Sequence, residues 1–159
     1  MAGYSAKITD INVDQMMPNL VSFIKKGVEK YGAVQVDLTR VNRSIAQNSL
    51  FHAQIAEIAK QTKFNGTELT ADGAKEYLVL LFAFELEQEQ RPLSQGLQYI
   101  PSRKTEGGWM PVPPKTSRFK IEEGTEFIDW LFAYGAERNV RFNDDVTRQY
   151  EAYLAMIDG

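Results

Sequence analysis

The sequence predicts an α+β fold, mostly helical with a few short strands and one long basic loop. Apolar residues recur at helical spacing in five stretches, whereas only one stretch alternates with the period of a strand. Residues 91–116, rich in proline, glycine and serine, show neither period. With 159 residues and 43% hydrophobic content, the chain suits a single domain over 1–159 with a real core.

Residues 14–31 place Leu20, Phe23, Ile24 and Val28 on one helical face. Pro18 is tolerable there only near the start, and Gly32 ends the helix. Residues 33–39 set Val34, Val36 and Leu38 against Gln35 and Asp37, the pattern of a half-buried strand. A second helix, reaching about Gln61, turns Ile45, Phe51, Ile55 and Ile58 inward. The Asn65-Gly66 pair between short extended pieces signals a tight hairpin. Thr70 is an N-cap for a third helix reaching about Gln90. Its centre, residues 77–84, is apolar on every side and is expected to be buried all round, within the monomer or between subunits.

In the loop that follows, residues 97–100 and 107–109 suit a loose hairpin. A long loop of this kind in a compact domain is usually functional or disordered, and its positive charge favours function. A short extended piece is expected at 118–121. Two helices close the chain, one with Phe127, Trp130, Leu131 and Tyr134 inward and one, after Asn143, with Val146, Tyr150, Tyr153 and Leu154. Between them, Gly135, Glu137 and Arg138 suit a helix end and turn, and residues 140–142 a short strand.

The net charge of −3 argues against coating of nucleic acid by bulk electrostatics. It hides an asymmetry, because residues 91–120 hold six basic side chains against Glu106 alone, whereas residues 121–159 hold nine acidic against three basic. A polyanion would therefore bind locally. No cysteine is present and His52 is the single histidine, so disulfides and thiolate chemistry are excluded, a conventional zinc site is hard to build, and His52 is expected to be an ordinary residue. With no long apolar run and no leader pattern, a cytoplasmic place and no membrane are the expectation.

Where the predicted strand hands over to the second helix, Arg40-Val41-Asn42-Arg43-Ser44-Ile45-Ala46-Gln47-Asn48 crowds arginines, amides and a hydroxyl onto the first helical turns. A helix N-terminus favours anions through its free N–H groups. Arg40 and Arg43 then suit phosphate contact, or for Arg43 a salt bridge to an acidic helix. Ser44 and Gln47 also make a capping box, while Asn48 suits either a base edge or a neighbouring backbone group. Arg118, with Thr116 and Ser117, suits a phosphate clamp. Lys115 and Lys120 add charge, and Arg103 with Lys104 suits backbone contact or plain solvation. Trp109 and Tyr99 suit stacking on unpaired bases, or packing of the loop onto the body.

Three blocks in order and register resemble the phage NinB (Orf) recombination family. They are Asn42-Arg43-Ser44 with Gln47-Asn48, Thr116-Ser117-Arg118, and Phe132-Ala133-Tyr134-Gly135 with Glu137-Arg138, Val140 and Phe142. The resemblance runs from about Arg40 to the C-terminus and is thinnest over 90–115. It implies a recombination mediator in the host bacterial cytoplasm, an intertwined homodimer that binds single-stranded DNA and helps a phage or host recombinase or annealing protein onto DNA covered by single-strand binding protein. That binding protein is an implied partner, and no catalysis, metal or cofactor is expected. Two other classes compete. One is a protein adaptor for single-strand binding protein with little DNA affinity, which suits the acidic C-terminal part. The other is a metal-dependent nuclease, for which Asp37 and Asp144 or Asp145 lack convincing spacing.

Overall fold

The computed structural model describes residues 6, 8, 12–38 and 43–158, apart from the side chains of Arg43, Ser44 and Asp158. The chain falls into two compact units, Met1–Arg40 and Val41–Gly159.

In the first unit, helix α1 spans Val13–Tyr31. Gly32 stops it at φ +82°, a left-handed conformation that costs glycine little, and its N–H closes on Val28 O at 2.8 Å. The chain then doubles back so that Val34 covers Gly27, where an added Cβ would lie 2.7 Å from Val34 Cγ1. Residues 33–38 are extended but join no ladder, so the strand expected over 33–39 is absent among the described residues. Alternation supplies a strand's faces, not its hydrogen-bonding partner. No residue of α1 is buried, and Met17, Val21, Phe23 and Val28 are all exposed.

The second unit is built on helices α2 (Arg43–Gln61), α3 (Ala71–Gln88), α4 (Ile121–Glu137) and α5 (Asp144–Asp158). Between α2 and α3, Phe64 and Thr67 bridge across Asn65 and Gly66, both with positive φ, as a tight Asn-Gly hairpin requires. The Thr70 hydroxyl caps α3 by accepting from Gly73 N–H at 3.1 Å. Asn143 Oδ1 caps α5 in the same way, accepting from Val146 N–H at 3.0 Å. Among the described residues the sheet is an antiparallel pair, β1 (Gln98–Pro101) and β2 (Trp109–Val112).

Leu50, Phe51, Ile55 and Ile58 of α2 meet Leu78, Val79 and Phe82 of α3, Phe127, Ile128 and Leu131 of α4, and Val146 and Tyr153 of α5 in one core. Phe127 sits at its centre with ring centroids 5.0 Å from both Phe51 and Phe82. Ile45 is exposed rather than inward. Within one chain the centre of α3 is buried on one side, with Leu80, Leu81 and Phe84 half-buried, so burial all round would require a second subunit. The extended piece expected at 118–121 is present at Phe119 and Lys120, whose backbone is extended between a 3₁₀ turn at Thr116–Arg118 and α4, whereas the strand expected at 140–142 is an irregular link. That link is held by Gln61, whose side-chain amide donates to Arg141 O and accepts from Arg141 N–H, both at 2.8 Å.

The inward face of α2 also carries polar groups. Gln47 Nε2 donates to Ile121 O at 2.9 Å and to Tyr153 OH at 3.1 Å, and Gln54 Nε2 donates to Ile128 O at 3.0 Å. Both steps are seven residues in the same chain direction, so α2 and α4 run parallel in register. The Gln47 amide lies against Gly124, where any Cβ would collide with it. Gln47→Ala is expected to lower the unfolding free energy by about 1–3 kcal/mol, and Gly124→Ala by about 1–3 kcal/mol. Because the added methyl and the Gln47 amide compete for one space, urea denaturation should show the double variant less destabilised than the sum of the singles.

Candidate nucleic-acid interface

Residues 91–120 form an arm rooted in the helical body. At its near end Leu93 is buried, and at its far end Phe119 packs its ring against Phe127 and Phe51 at centroid distances of 5.5 and 6.2 Å. Between these anchors the Glu123 carboxylate accepts from Ser94 N–H, Ser94 Oγ and Lys120 N–H, each at 2.8 Å. Gln95 Nε2 donates to Lys115 O at 3.0 Å, and Gln95 Oε1 accepts from Lys115 N–H at 3.1 Å.

Beyond this root the expected hairpin forms, pairing Tyr99 with Pro111 and Pro101 with Trp109. Ser102 N–H donates to Gly108 O at 2.8 Å, which puts the hydrogen-bonded pairs at the even-numbered positions of the first strand. Pro101 and Pro111 therefore occupy non-hydrogen-bonded pairs, where the missing N–H costs nothing and side chains approach most closely. Tyr99, Pro101, Trp109 and Pro111 share one face, since alternate and directly paired residues point the same way. Trp109 is 67% exposed and Tyr99 47%, so this face is open to solvent. At the tip, Ser102 Oγ accepts from Lys104 N–H and Thr105 N–H, turning the chain so that Arg103 and Lys104 are exposed.

Charge follows the same division. Among the described residues, Arg103, Lys104, Lys115, Arg118 and Lys120 are all exposed and none forms a salt bridge. Arg91, by contrast, bonds Glu89 and Glu126, which raise its pKa and neutralise it. Below the root lies an open acidic groove of about 370 Å³ lined by Leu86, Arg91, Pro92, Glu122, Glu126 and Asp129 among others.

The predicted signature residues divide. Arg40, and the side chains of Arg43 and Ser44, lie outside the described residues. Asn48 is exposed on α2. Gln47 is a correction, because it is 4% exposed and its Nε2 donates to α4 and α5, so it is turned into the core rather than towards a ligand, while the capping box expected with Ser44 lies outside the described side chains. Thr116 is also buried, which leaves Ser117 and Arg118 as the exposed part of the proposed clamp. Trp109, Arg103, Lys104, Lys115, Arg118 and Lys120 all belong to the arm or its root. Sequence reasoning missed Gln95, Ser94 and Glu123. The ties from Gln95 to Lys115 and from Ser94 to Glu123 span 20 and 29 residues and leave no local pattern, whereas the bond from Lys120 N–H to Glu123, three residues on, is a local helix-start signal.

Among the described residues, no group of three or more histidine, aspartate or glutamate side chains is placed to hold a metal. Asp37 accepts from Gln35 at 2.9 Å, and Asp145 faces Gln149 and Arg148 on α5. His52 is exposed, with its pKa lowered by partial burial and Lys75 against the opposing pull of Asp72. No helix among the described residues is long and apolar enough to cross a membrane.

The NinB protein family matches residues 8–143. NinB proteins of Enterobacteria phage P21 and Escherichia phage lambda are each 24% identical over 112 residues, and that of Salmonella phage P22 is 25% identical, covering 70% of this chain and 68% of each relative. A solved NinB structure from structural genomics superposes with a TM-score of 0.58 at 22% identity, over 90% of this chain and 99% of that one, which shows a shared fold.

Burial raises the Glu123 pKa, but the Lys120 and Ser94 donors and the Lys120 charge outweigh it, so the carboxyl titrates below its ordinary value. A depressed folded-state pKa stabilises fully above the unfolded value, about 4.3, and the gain is lost as pH falls through the lower folded value. Urea midpoints of the parent and Glu123→Gln should therefore differ by a constant amount from neutrality to about pH 5. The gap should narrow as the pH is taken below about 4.3.

Proposed function

The chain belongs to the NinB family, and from that premise we propose that it is a phage recombination accessory protein that binds single-stranded DNA and helps load an annealing protein or recombinase. It acts as a binder without catalysis, in the cytoplasm of the infected host, on strands covered by single-strand binding protein. One observation carries the reading. An open face bearing Tyr99 and Trp109 sits on a hairpin whose tip and root hold five exposed cations that form no salt bridge among the described residues.

Each part suits a different feature of a single strand. Unpaired bases expose their π-faces, and stacking on an aromatic ring is worth about 1–3 kcal/mol per base without sequence preference. Phosphates are met by Arg103, Lys104, Lys115, Arg118 and Lys120, which displace counterions when they bind. A duplex hides its base faces, so the aromatic pair favours the single strand. The chain's net charge of −3 repels a polyanion elsewhere, which confines contact to the arm.

A homodimer accounts for the first unit. A helix with no buried residue and with Met17, Val21, Phe23 and Val28 exposed is costly in water and suits burial against a second copy. Two copies would bring two arms to one strand and raise avidity without new contacts. The adaptor reading rests on the acidic groove beside Arg91, which suits a basic protein segment better than DNA.

Fluorescence anisotropy of labelled poly-dT across a salt series, with a duplex control, tests the DNA reading. Affinity should fall log-linearly with salt and favour the single strand. Trp109→Ala should cost about 1–3 kcal/mol of binding. Arg118→Ala should weaken binding and reduce the salt slope by about 1, both variants keeping the parent's urea midpoint. Absence of binding at low salt would favour the adaptor. Light scattering should give the mass of a dimer, and Phe23→Glu with Val28→Glu should shift it to the monomer.

A further inference from the structure

The geometry points to Gln95, acting with Glu123, as a positioning residue that locks the arm's root and so presents the Tyr99 and Trp109 face as a preformed platform. This inference rests on the single-strand reading above. The segments entering and leaving the arm are tied at two levels. Lower down, one carboxylate, that of Glu123, receives Ser94 N–H and Oγ on the entering segment and Lys120 N–H on the leaving one. Higher up, the Gln95 side chain pairs with both backbone groups of Lys115, as a strand neighbour would.

Lys115 O also accepts from Arg118 N–H at 3.0 Å in the 3₁₀ turn, but that bond stays within the leaving segment, whereas the Gln95 pairing crosses to the entering one. Between Val112 and Thr116 lie Pro113 and Pro114, of which neither has an N–H to offer, so Lys115 is the one residue of that stretch able to both donate and accept. Gln95 takes both of its backbone groups. Without that pairing, the hairpin would hang on an untied connection on its leaving side, and its aromatic face and the Lys115 charge would need ordering on each binding event. Holding them in place beforehand removes that entropic cost. Gln95 reaches the DNA through Lys115 and the hairpin, not by touching it.

Gln95→Met keeps the side chain's volume and removes both hydrogen bonds, and Gln95→Ala removes the volume as well. Both variants are expected to keep the parent's helix content and urea midpoint. Each should weaken poly-dT binding about 3- to 10-fold, and trypsin should cut faster after Arg103 and Lys104. The decisive readout is coupling. In a Trp109→Ala background the loss caused by Gln95→Met should shrink to less than about 2-fold, since an untied platform matters only while its ring is there to stack. A parent that binds poly-dT while both Gln95 variants bind equally well overturns the positioning role alone. Full additivity with Trp109→Ala also overturns it. A parent that fails to bind poly-dT overturns the single-strand reading and this inference together.

Discussion

A buried amide has to spend its protons, and in the second unit the amide of Gln47 spends them where three helices meet. Its two N–H groups go to Ile121 O and Tyr153 OH, while the Tyr153 and Thr125 hydroxyls bond each other and Thr125 returns to Ile121 O. The donors and acceptors close on themselves, so displacing one helix breaks bonds on the other two. A half-satisfied set at this depth would cost more than an apolar plug. Gly124 lets the amide come close enough, since any side chain there would occupy its place. Gln54 repeats the contact one heptad further on, with Ile128 O in place of Ile121 O. Glu57 then draws in Asn143, the cap of α5, at 2.8 Å.

That polar seam fixes the start of α4, and the start of α4 fixes the arm. Ile121 opens the helix and accepts from Gln47, while Glu123, two residues on, gathers Ser94 and Lys120. Phe119, just before the helix, lies in the aromatic cluster with Phe51, Phe82 and Phe127. The same few residues thus serve the core on one side and a projecting basic hairpin on the other. A rigid root with an open, aromatic, cationic tip suits a flexible polyanion, because the protein's share of the ordering is done in folding. Pairing of Arg91 with Glu89 and Glu126 offsets its charge beside the arm, whose own five cations form no salt bridge among the described residues.

Much of the architecture was legible from local chemistry. Gly32, Asn65-Gly66 and Thr70 mark a helix end, a turn and a cap because each solves a backbone problem within four residues. The hairpin over residues 97–109 and the charge of its loop were equally local, as was the resemblance to the NinB family in three short blocks. The failures share a cause. Val34, Val36 and Leu38 alternate like a strand but find no ladder, and in 140–142 Arg141 bonds the side chain of Gln61 and Val140 N–H the Gly135 carbonyl instead of a neighbouring strand. Gln47 looked like a surface contact because polar residues usually are, and nothing within its own helix shows that Tyr153 waits 106 residues away.

The sequence by itself determined the helices, their caps, the tight turn, the family and the place of positive charge, since each depends on neighbours along the chain. Only the tertiary structure decided which polar residues face inward, which cations stay unpaired and how the arm is rooted. Burial and long-range hydrogen bonds are properties of the assembled helices. They put Gln47 in the core, took Arg91 out of the basic set, and made Gln95 and Glu123 hold a loop whose own residues carry no instruction for holding it.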